Sequence, residues 1–293
     1  MRIRKPCAAQ TAGLGNIFSQ KNNKGEENET MKKILALVLV LIMALGLAAC
    51  AAPAAPAEEP TPAAEPETEK VDSQAILAEL KTPAEESNWE RTTSSQEVID
   101  FLKVVAEHSA GRIILDTTTF ATEAGTPISY MIISDVAPAS PADVPEDKGV
   151  VYVNCNIHSG EIEGKESMMI FAREVAQGKH DDLLKDLVVI IVPNSNPDGN
   201  DNLGKNRITT QFTPKLVGTR AEGNGLNVNR DMTKLETACG RTIVKLMNDW
   251  NPILFIDAHA TDGSYMRHAV TYNWGLNAGT DAELLAYNRD VFC

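Results

Sequence analysis

Two histidines and a glutamate in this chain have the types and spacing to do chemistry together. His158 and Glu161 stand three positions apart in NIHSGEIEGKE, directly after the apolar run GVVYVNCNI. His259 closes another apolar run, PILFIDAHA. Imidazole nitrogens and carboxylate oxygens both bind divalent zinc, and hydrolytic zinc sites commonly use three such protein ligands and leave a fourth position to water. His158 and Glu161 on one tight turn can face the same ion, and His259 is placed to be its third ligand. A His-x-x-Glu spacing is weak by itself in a chain with 40 acidic residues. It gains weight because the turn and His259 each follow a strand-like segment.

Those segments belong to a longer alternation. SSQEVIDFLKVVAEHS sets Val98, Leu102 and Val105 on one helical face, with Ser94 or Ser95 as N-cap. GRIILDTTTF and PISYMIIS are rich in β-branched residues and read as strands. GVVYVNCNI, DLVVIIVPNSN and PILFIDAHA are nearly continuous apolar runs, the pattern of strands buried on both faces. IEGKESMMIFAREVAQG and TKLETACGRTIVKLMNDW read as helices, the second with Leu235, Cys239, Ile243, Met247 and Trp250 roughly along one side. DAELLAYNRDVF starts a further helix. Alternating strands and helices predict an α/β three-layer sandwich, with a central mixed, mainly parallel sheet flanked by helices. In such sheets functional groups gather beyond the carboxyl ends of strands, where His158, His259 and the turn NSNPDGN all fall.

Four motifs in order, NIHSGEIEGKE, PNSNPDGN, GLNVNRD and FIDAHA, resemble the zinc metallocarboxypeptidase family, the carboxypeptidase A/B-like peptidases. The resemblance implies one Zn2+ held by His158, Glu161 and His259. It implies that Asn229 and Arg230 grip the terminal carboxylate of a substrate, a task for which a planar guanidinium is well suited. It also implies an arginine that polarises the scissile carbonyl as charge develops on its oxygen. Arg207, by its position after NPDG, is the first choice for that role and Arg220 the second. The activity implied is removal of C-terminal residues from peptides or cell-wall stem peptides by a metal-activated water.

Departures from the family pattern matter as much. Asn227 stands where many members have an aspartate that hydrogen-bonds the first histidine ligand, so the outer partner of His158 is uncharged. Gly160 stands where some relatives have arginine. The family's general-base glutamate lies on a strand well after the third ligand, and beyond His259 only Glu283 follows, in a helix-like segment. The expectation is therefore a domain over residues 71–293 that is truncated at its C-terminus and lacks the base. The alternatives are a related zinc amidohydrolase that deacylates N-acyl amino acids, and an inactive peptide- or zinc-binding lipoprotein. His108, His180 and His268 lack partner motifs and are not expected to bind metal. Cys155 and Cys239 read as buried apolar thiols.

The chain has 293 residues and a net charge of −13, which argues against a nucleic-acid binder and leaves small molecules or peptides as the fitting partners. Five cysteines without C-x-x-C spacing give no disulfide framework. MKKILALVLVLIMALGLAAC, residues 31–50, has two lysines, an apolar run and small residues before Cys50, the layout of an export signal. LAAC resembles the bacterial lipobox, whose cysteine is acylated. Residues 1–30 are then an extension upstream of a true start at Met31, 31–49 the signal peptide, and 50–70 the lipidated Cys50 with a Pro/Ala/Glu-rich linker. The protein is expected outside the cytoplasm, anchored to the membrane by lipid. Cys50→Ala should move it from the membrane to the soluble fraction. A mature N-terminus mapped elsewhere, carrying no lipid mass, would refute the assignment.

Overall fold

The computed structural model describes residues 72–205, 207, 214–260, 268, 270–272, 275, 277 and 279–292. The upstream extension, signal peptide, Cys50 and linker expected over residues 1–70 lie outside the described residues.

Helix formation starts from local capping. The Ser94 hydroxyl accepts from the Glu97 N–H, and Glu97 reaches back to the Ser94 N–H at 2.9 Å, a reciprocal box that starts α3 (Ser95–Glu107). Two shorter helices, α1 (Ser73–Glu79) and α2 (Pro83–Glu86), precede it. The strands are β1 (Ile113–Asp116), β2 (Tyr130–Ile133), β3 (Gly149–Cys155), β4 (Leu187–Val192) and β7 (Leu254–Ala258). They form one sheet in the order β1-β2-β4-β3-β7. Its centre is parallel, with β3 between β4 and β7, while β2 pairs antiparallel with β4 on one side and with β1 on the other. Two two-residue strands, β5 (Gly204–Lys205) and β6 (Leu216–Val217), pair separately.

Period-two alternation splits the apolar runs between two cores. Val189 and Ile191 of β4 join Val151 of β3 on one face, against Val98, Leu102 and Val105 of α3 and Met169, Ala172 and Val175 of α4 (Glu163–Ala176). Val188, Ile190 and Val192 join Val150 and Tyr152 on the other face, against Cys239, Ile243, Leu246 and Trp250 of α7 (Ala238–Trp250). The three-layer sandwich expected from the sequence is thus present. Each such aliphatic side chain contributes about 1.5–3 kcal/mol by full burial.

Three local expectations change. Asn196-Pro197-Asp198-Gly199, expected as a simple turn, opens a short helix, α6 (Pro197–Asp201), after the four-residue α5 (Asp181–Leu184). Asn196 caps it by accepting from the Gly199 N–H at 2.9 Å, and proline occupies the first turn, where its missing N–H costs nothing. Helix α7 begins at Ala238, later than the hydrophobic pattern implies, because Thr237 caps it and Asp231 accepts from the N–H groups of both Glu236 and Thr237. Leu235 lies before the helix with φ +57° and is not part of its buried face. Strand β7, expected to be buried on both faces, pairs with β3 on one side only among the described residues, and Ile256 is 42% exposed. The DAELLAYNRDVF segment is helical as expected, α8 (Ala282–Tyr287) running into a wider turn at Asn288–Phe292.

Beneath the carboxyl end of β3 lies a buried polar knot that the sequence does not announce. Lys165 is fully buried, and its Nζ donates to Thr92 Oγ1, the Thr93 carbonyl and Asn200 Oδ1 at 2.6–2.8 Å. Glu166, 3.5 Å from that ammonium, accepts from Thr92 Oγ1, the Thr93 N–H and Thr93 Oγ1. Burial pushes the Lys165 ammonium down to about 8, against the pull of Glu166. Removing one member of a buried pair strands the other. Glu166→Ala should therefore cost about 3–5 kcal/mol in equilibrium denaturation, with much of the loss recovered by replacing Lys165 and Glu166 together with methionine. An unchanged midpoint in the single variant would contradict this account.

Candidate metal centre

Strand β3 ends at Cys155, and the chain turns at once. Asn156 takes a left-handed conformation, φ +61°, which asparagine tolerates better than most side chains. Its buried amide donates to Asn194 Oδ1 at 2.7 Å and Asn200 Oδ1 at 3.0 Å, tying the turn to the ends of β4 and α6. The Glu161 N–H then donates to the His158 carbonyl at 2.8 Å, so the His-x-x-Glu spacing is one closed turn, as expected. Ser159 fastens this turn from outside: its N–H donates to the Thr219 carbonyl, its carbonyl accepts from the Gly218 N–H, and its hydroxyl donates to the Asn196 carbonyl at 2.7 Å. Gly218 fits because a Cβ there would lie 2.5 Å from the Gly199 carbonyl oxygen. Gly164 brings α4 onto the strand ends, where an added Cβ would stand 3.0 Å from that of Ala258.

His158, Glu161 and His259 meet at this corner, with one candidate ligand atom from each lying within 4.8 Å of the others. His158 and Glu161 are 3% and 4% exposed. Glu161 uses its two oxygens separately: Oε1 is 3.0 Å from His158 Nδ1 and Oε2 is 2.7 Å from His259 Nδ1. The outer nitrogens are committed elsewhere. His158 Nε2 lies 3.2 Å from Asn227 Oδ1, and His259 Nε2 lies 3.0 Å from Asp257 Oδ2.

This donor set fits a metal. Asn227 Oδ1 already accepts from the Asn229 N–H at 3.1 Å, so it is the amide oxygen that faces His158, and Nε2 must donate to it. His158 Nδ1 then faces a carboxylate oxygen 3.0 Å away, the nitrogen it has left to offer a metal. In the metal-free protein the Arg220 guanidinium brings a positive charge to that gap, with Nη1 3.1 Å from His158 Nδ1 and Nη2 3.3 Å from Glu161 Oε1, the charge that a metal between them would supply. At His259 the same role falls to a proton in the metal-free protein. Hydrogen bonds to Asp257 and then to Glu161 hold its imidazolium at about 9, against burial. Burial works to raise the Glu161 pKa, but hydrogen bonds from His158 and His259 outweigh it and hold the carboxyl at about 2.

The two arginines proposed for the carbonyl differ in their reach. Arg220 places Nη1 3.1 Å from His158 Nδ1 and donates through Nη2 to Glu161 Oε1 at 3.3 Å. Arg207 donates to Asn202 Oδ1 at 3.4 Å. Both line one cavity of about 360 Å³, together with Gly160, Gly218 and Thr219. Asn229 and Arg230 lie on a 3-10 turn, Val228–Arg230, that Asn227 caps, so the pair is anchored to His158 through one residue. Arg230 is exposed, and its Nη1 donates to the Asn229 carbonyl. The other described histidines with side-chain partners serve elsewhere: His108 meets Ser73, and His180 meets Glu174. Cys155 and Cys239 are buried free thiols, both pushed upward by burial, and Cys239 also by Glu222 beside it. Sequence reasoning missed Asp257. Its signal was the i, i+2 spacing to His259 along a strand, which sends both side chains to one face.

Residues 100–237 match the model of the zinc carboxypeptidase family, Peptidase_M14. No curated protein matches the chain in sequence. Among solved structures it is similar to a metallo-carboxypeptidase from Burkholderia cenocepacia, at 20% identity over 58% of this chain and 42% of that one, TM-score 0.44. It is similar to carboxypeptidase A from Helicoverpa armigera, at 16% identity over 64% and 50%, TM-score 0.42. A metallo-carboxypeptidase from Pseudomonas aeruginosa matches at 18% identity over 55% and 39%, TM-score 0.40. The match spans half or less of the length of each of these three chains.

The two perturbed groups set a pH window for the metal-free protein. Glu161 drops from its ordinary 4.5 to about 2, so its contribution is complete above 4.5 and is lost as pH falls through 2. His259 rises from 6.5 to about 9, so its contribution is complete below 6.5 and is lost as pH rises through 9. With chelator present, the stability this trio contributes should be greatest between pH 4.5 and 6.5. Glu161→Gln should flatten both limbs of a denaturation series against pH. Limbs unchanged in that variant would show that other groups set them.

Proposed function

We propose that the protein is a zinc-dependent metallocarboxypeptidase that removes C-terminal residues from peptides or cell-wall stem peptides. One observation carries the reading: the two Nδ1 atoms of His158 and His259 and the Glu161 carboxylate converge, while both Nε2 atoms are held from outside. Zinc at that point supplies a water of lowered pKa and polarises a carbonyl. Arg220, already beside His158 and Glu161, is the arginine we assign to the charge that develops on the substrate oxygen, and Arg207 lines the same cavity. Asn229 and Arg230 take the free carboxylate of the chain end. The described residues put no second glutamate in the donor cluster, so the proton acceptor for the water is not assigned to this set. Acylation at Cys50 holds the enzyme at the outer face of the membrane, where exported peptides and wall precursors meet it.

The zinc-loaded protein should carry one metal per chain by elemental analysis, and His158→Ala and His259→Ala should each abolish it. Zinc content unchanged in both would sink the assignment. The same preparation tests the carboxylate clamp by calorimetry, without relying on turnover. A peptide with a free C-terminus should bind more tightly than its amide, and Arg230→Ala should remove that preference at a cost of about 2–5 kcal/mol. Tighter binding of the amidated peptide would contradict the role of Arg230.

A further inference from the structure

The outer partners of the two histidines differ in charge. His158 has the neutral amide of Asn227. His259 has the carboxylate of Asp257. Asp257 is in turn gripped by a chain of groups that crosses the sheet. Its Oδ1 accepts from Asn154 Nδ2 at 3.1 Å. Asn154 is fully buried, and its own Oδ1 accepts from the hydroxyls of Ser195 and, at 3.4 Å, Tyr152.

The direction of this chain follows from its chemistry. Two hydroxyl donors converge on one end of the Asn154 amide, so that end is the oxygen and the NH₂ faces Asp257. A carboxylate is an acceptor only, so it can take the Asn154 N–H on one oxygen and the His259 Nε2–H on the other. The strands make the alignment available. Asn154 and Asp257 are direct partners across β3 and β7, which sets their side chains side by side on one face. Ser195, just beyond β4, is tied to β3 by its own N–H on the Cys155 carbonyl at 3.0 Å.

We propose that Asp257, held by the Ser195–Asn154 relay, is the positioning residue that fixes the ring and tautomer of His259 and supplies the anionic outer contact missing at His158. Building on the zinc-peptidase reading above, it names which ligand the protein holds more firmly and how. With Nε2–H committed to Asp257, the only lone pair His259 has for a metal is at Nδ1, the nitrogen that faces Glu161. An ionised acceptor on the far nitrogen makes the imidazole a stronger ligand than a neutral one does, and loss of such a partner typically costs about 10–100-fold in metal affinity. The asymmetry therefore makes His259, the less buried of the two histidines, the better oriented ligand.

Two measurements test this on the intact chain. The first is nitrogen-15 NMR of the metal-free protein. His259 should show an Nε2–H proton protected from exchange; Asp257→Ala should lose that protection, and Asp257→Asn, which keeps one acceptor, should retain part of it. The second is zinc competition against a chromophoric chelator. Asp257→Ala should weaken binding about 10–100-fold, Asp257→Asn less, and Asn154→Ala less again. A merely structural role would lower the melting temperature of the metal-free variants without changing the His259 signal. If Asp257→Ala does not fold, Asp257→Asn and Asn154→Ala carry both readouts. Wild-type affinity and a retained N–H signal in Asp257→Ala would overturn the relay. A wild-type protein that takes up no zinc would instead overturn the zinc-peptidase reading, and the N–H signal would still decide the relay.

Discussion

The carboxylate of Glu161 joins two parts of the chain that the sequence keeps far apart. One oxygen meets His158 on its own turn, and the other meets His259 at the end of β7. The rest of this corner makes that bridge geometrically possible. Left-handed Asn156 redirects the chain as it leaves β3, the Glu161 N–H closes the turn on the His158 carbonyl, and Gly164 lets α4 sit against Ala258. Each device is small. Together they put an ionised carboxylate 4% exposed at a strand end, which is tolerable because both oxygens have charged or polar partners.

The sheet supports this corner through its parallel centre. In parallel strands successive carboxyl ends point the same way, so loops leaving β3, β4 and β7 rise on one side and meet there. The asparagines and serines of those loops, Asn156, Asn194, Ser195, Asn196 and Asn200, are all buried, and they bond mainly to one another and to neighbouring backbone. A loop cluster this polar is stable inside a protein only when its members satisfy each other. The knot of Lys165, Glu166, Thr92 and Thr93 extends the same arrangement under α4.

Much of this was legible in the sequence, for identifiable reasons. The runs in β3 and β4 announced strands packed on both sides because alternate residues feed two separate cores. The cap of α3 was legible because a capping box is local, and the His-x-x-Glu turn because it closes on itself. What was not legible depended on distant parts of the chain. Helix α7 starts late because Asp231 and Thr237 organise its first turn. Strand β7 carries the same kind of apolar run as β3, yet it has one neighbour among the described strands, a matter of topology rather than composition. Position after NPDG ranked Arg207 ahead of Arg220 and could not show that Arg220 lies beside His158 and Glu161, because the segment bearing Arg220 is placed by Gly218 and Thr219 docking on Ser159. Asp257 was written plainly two residues before His259 and was overlooked for want of the strand pairing that gives it Asn154 as a neighbour.

The separation of Glu161 and His259 along the chain, 98 residues, has a further consequence. A cation bound to both would act as a cross-link, and cross-links that close long loops remove the most freedom from the unfolded chain. Strand β7 would gain the most from such a clip, since it is held by β3 alone among the described strands. Ligand binding and the docking of this strand would then be one equilibrium, with occupancy of the corner setting how often the strand peels away.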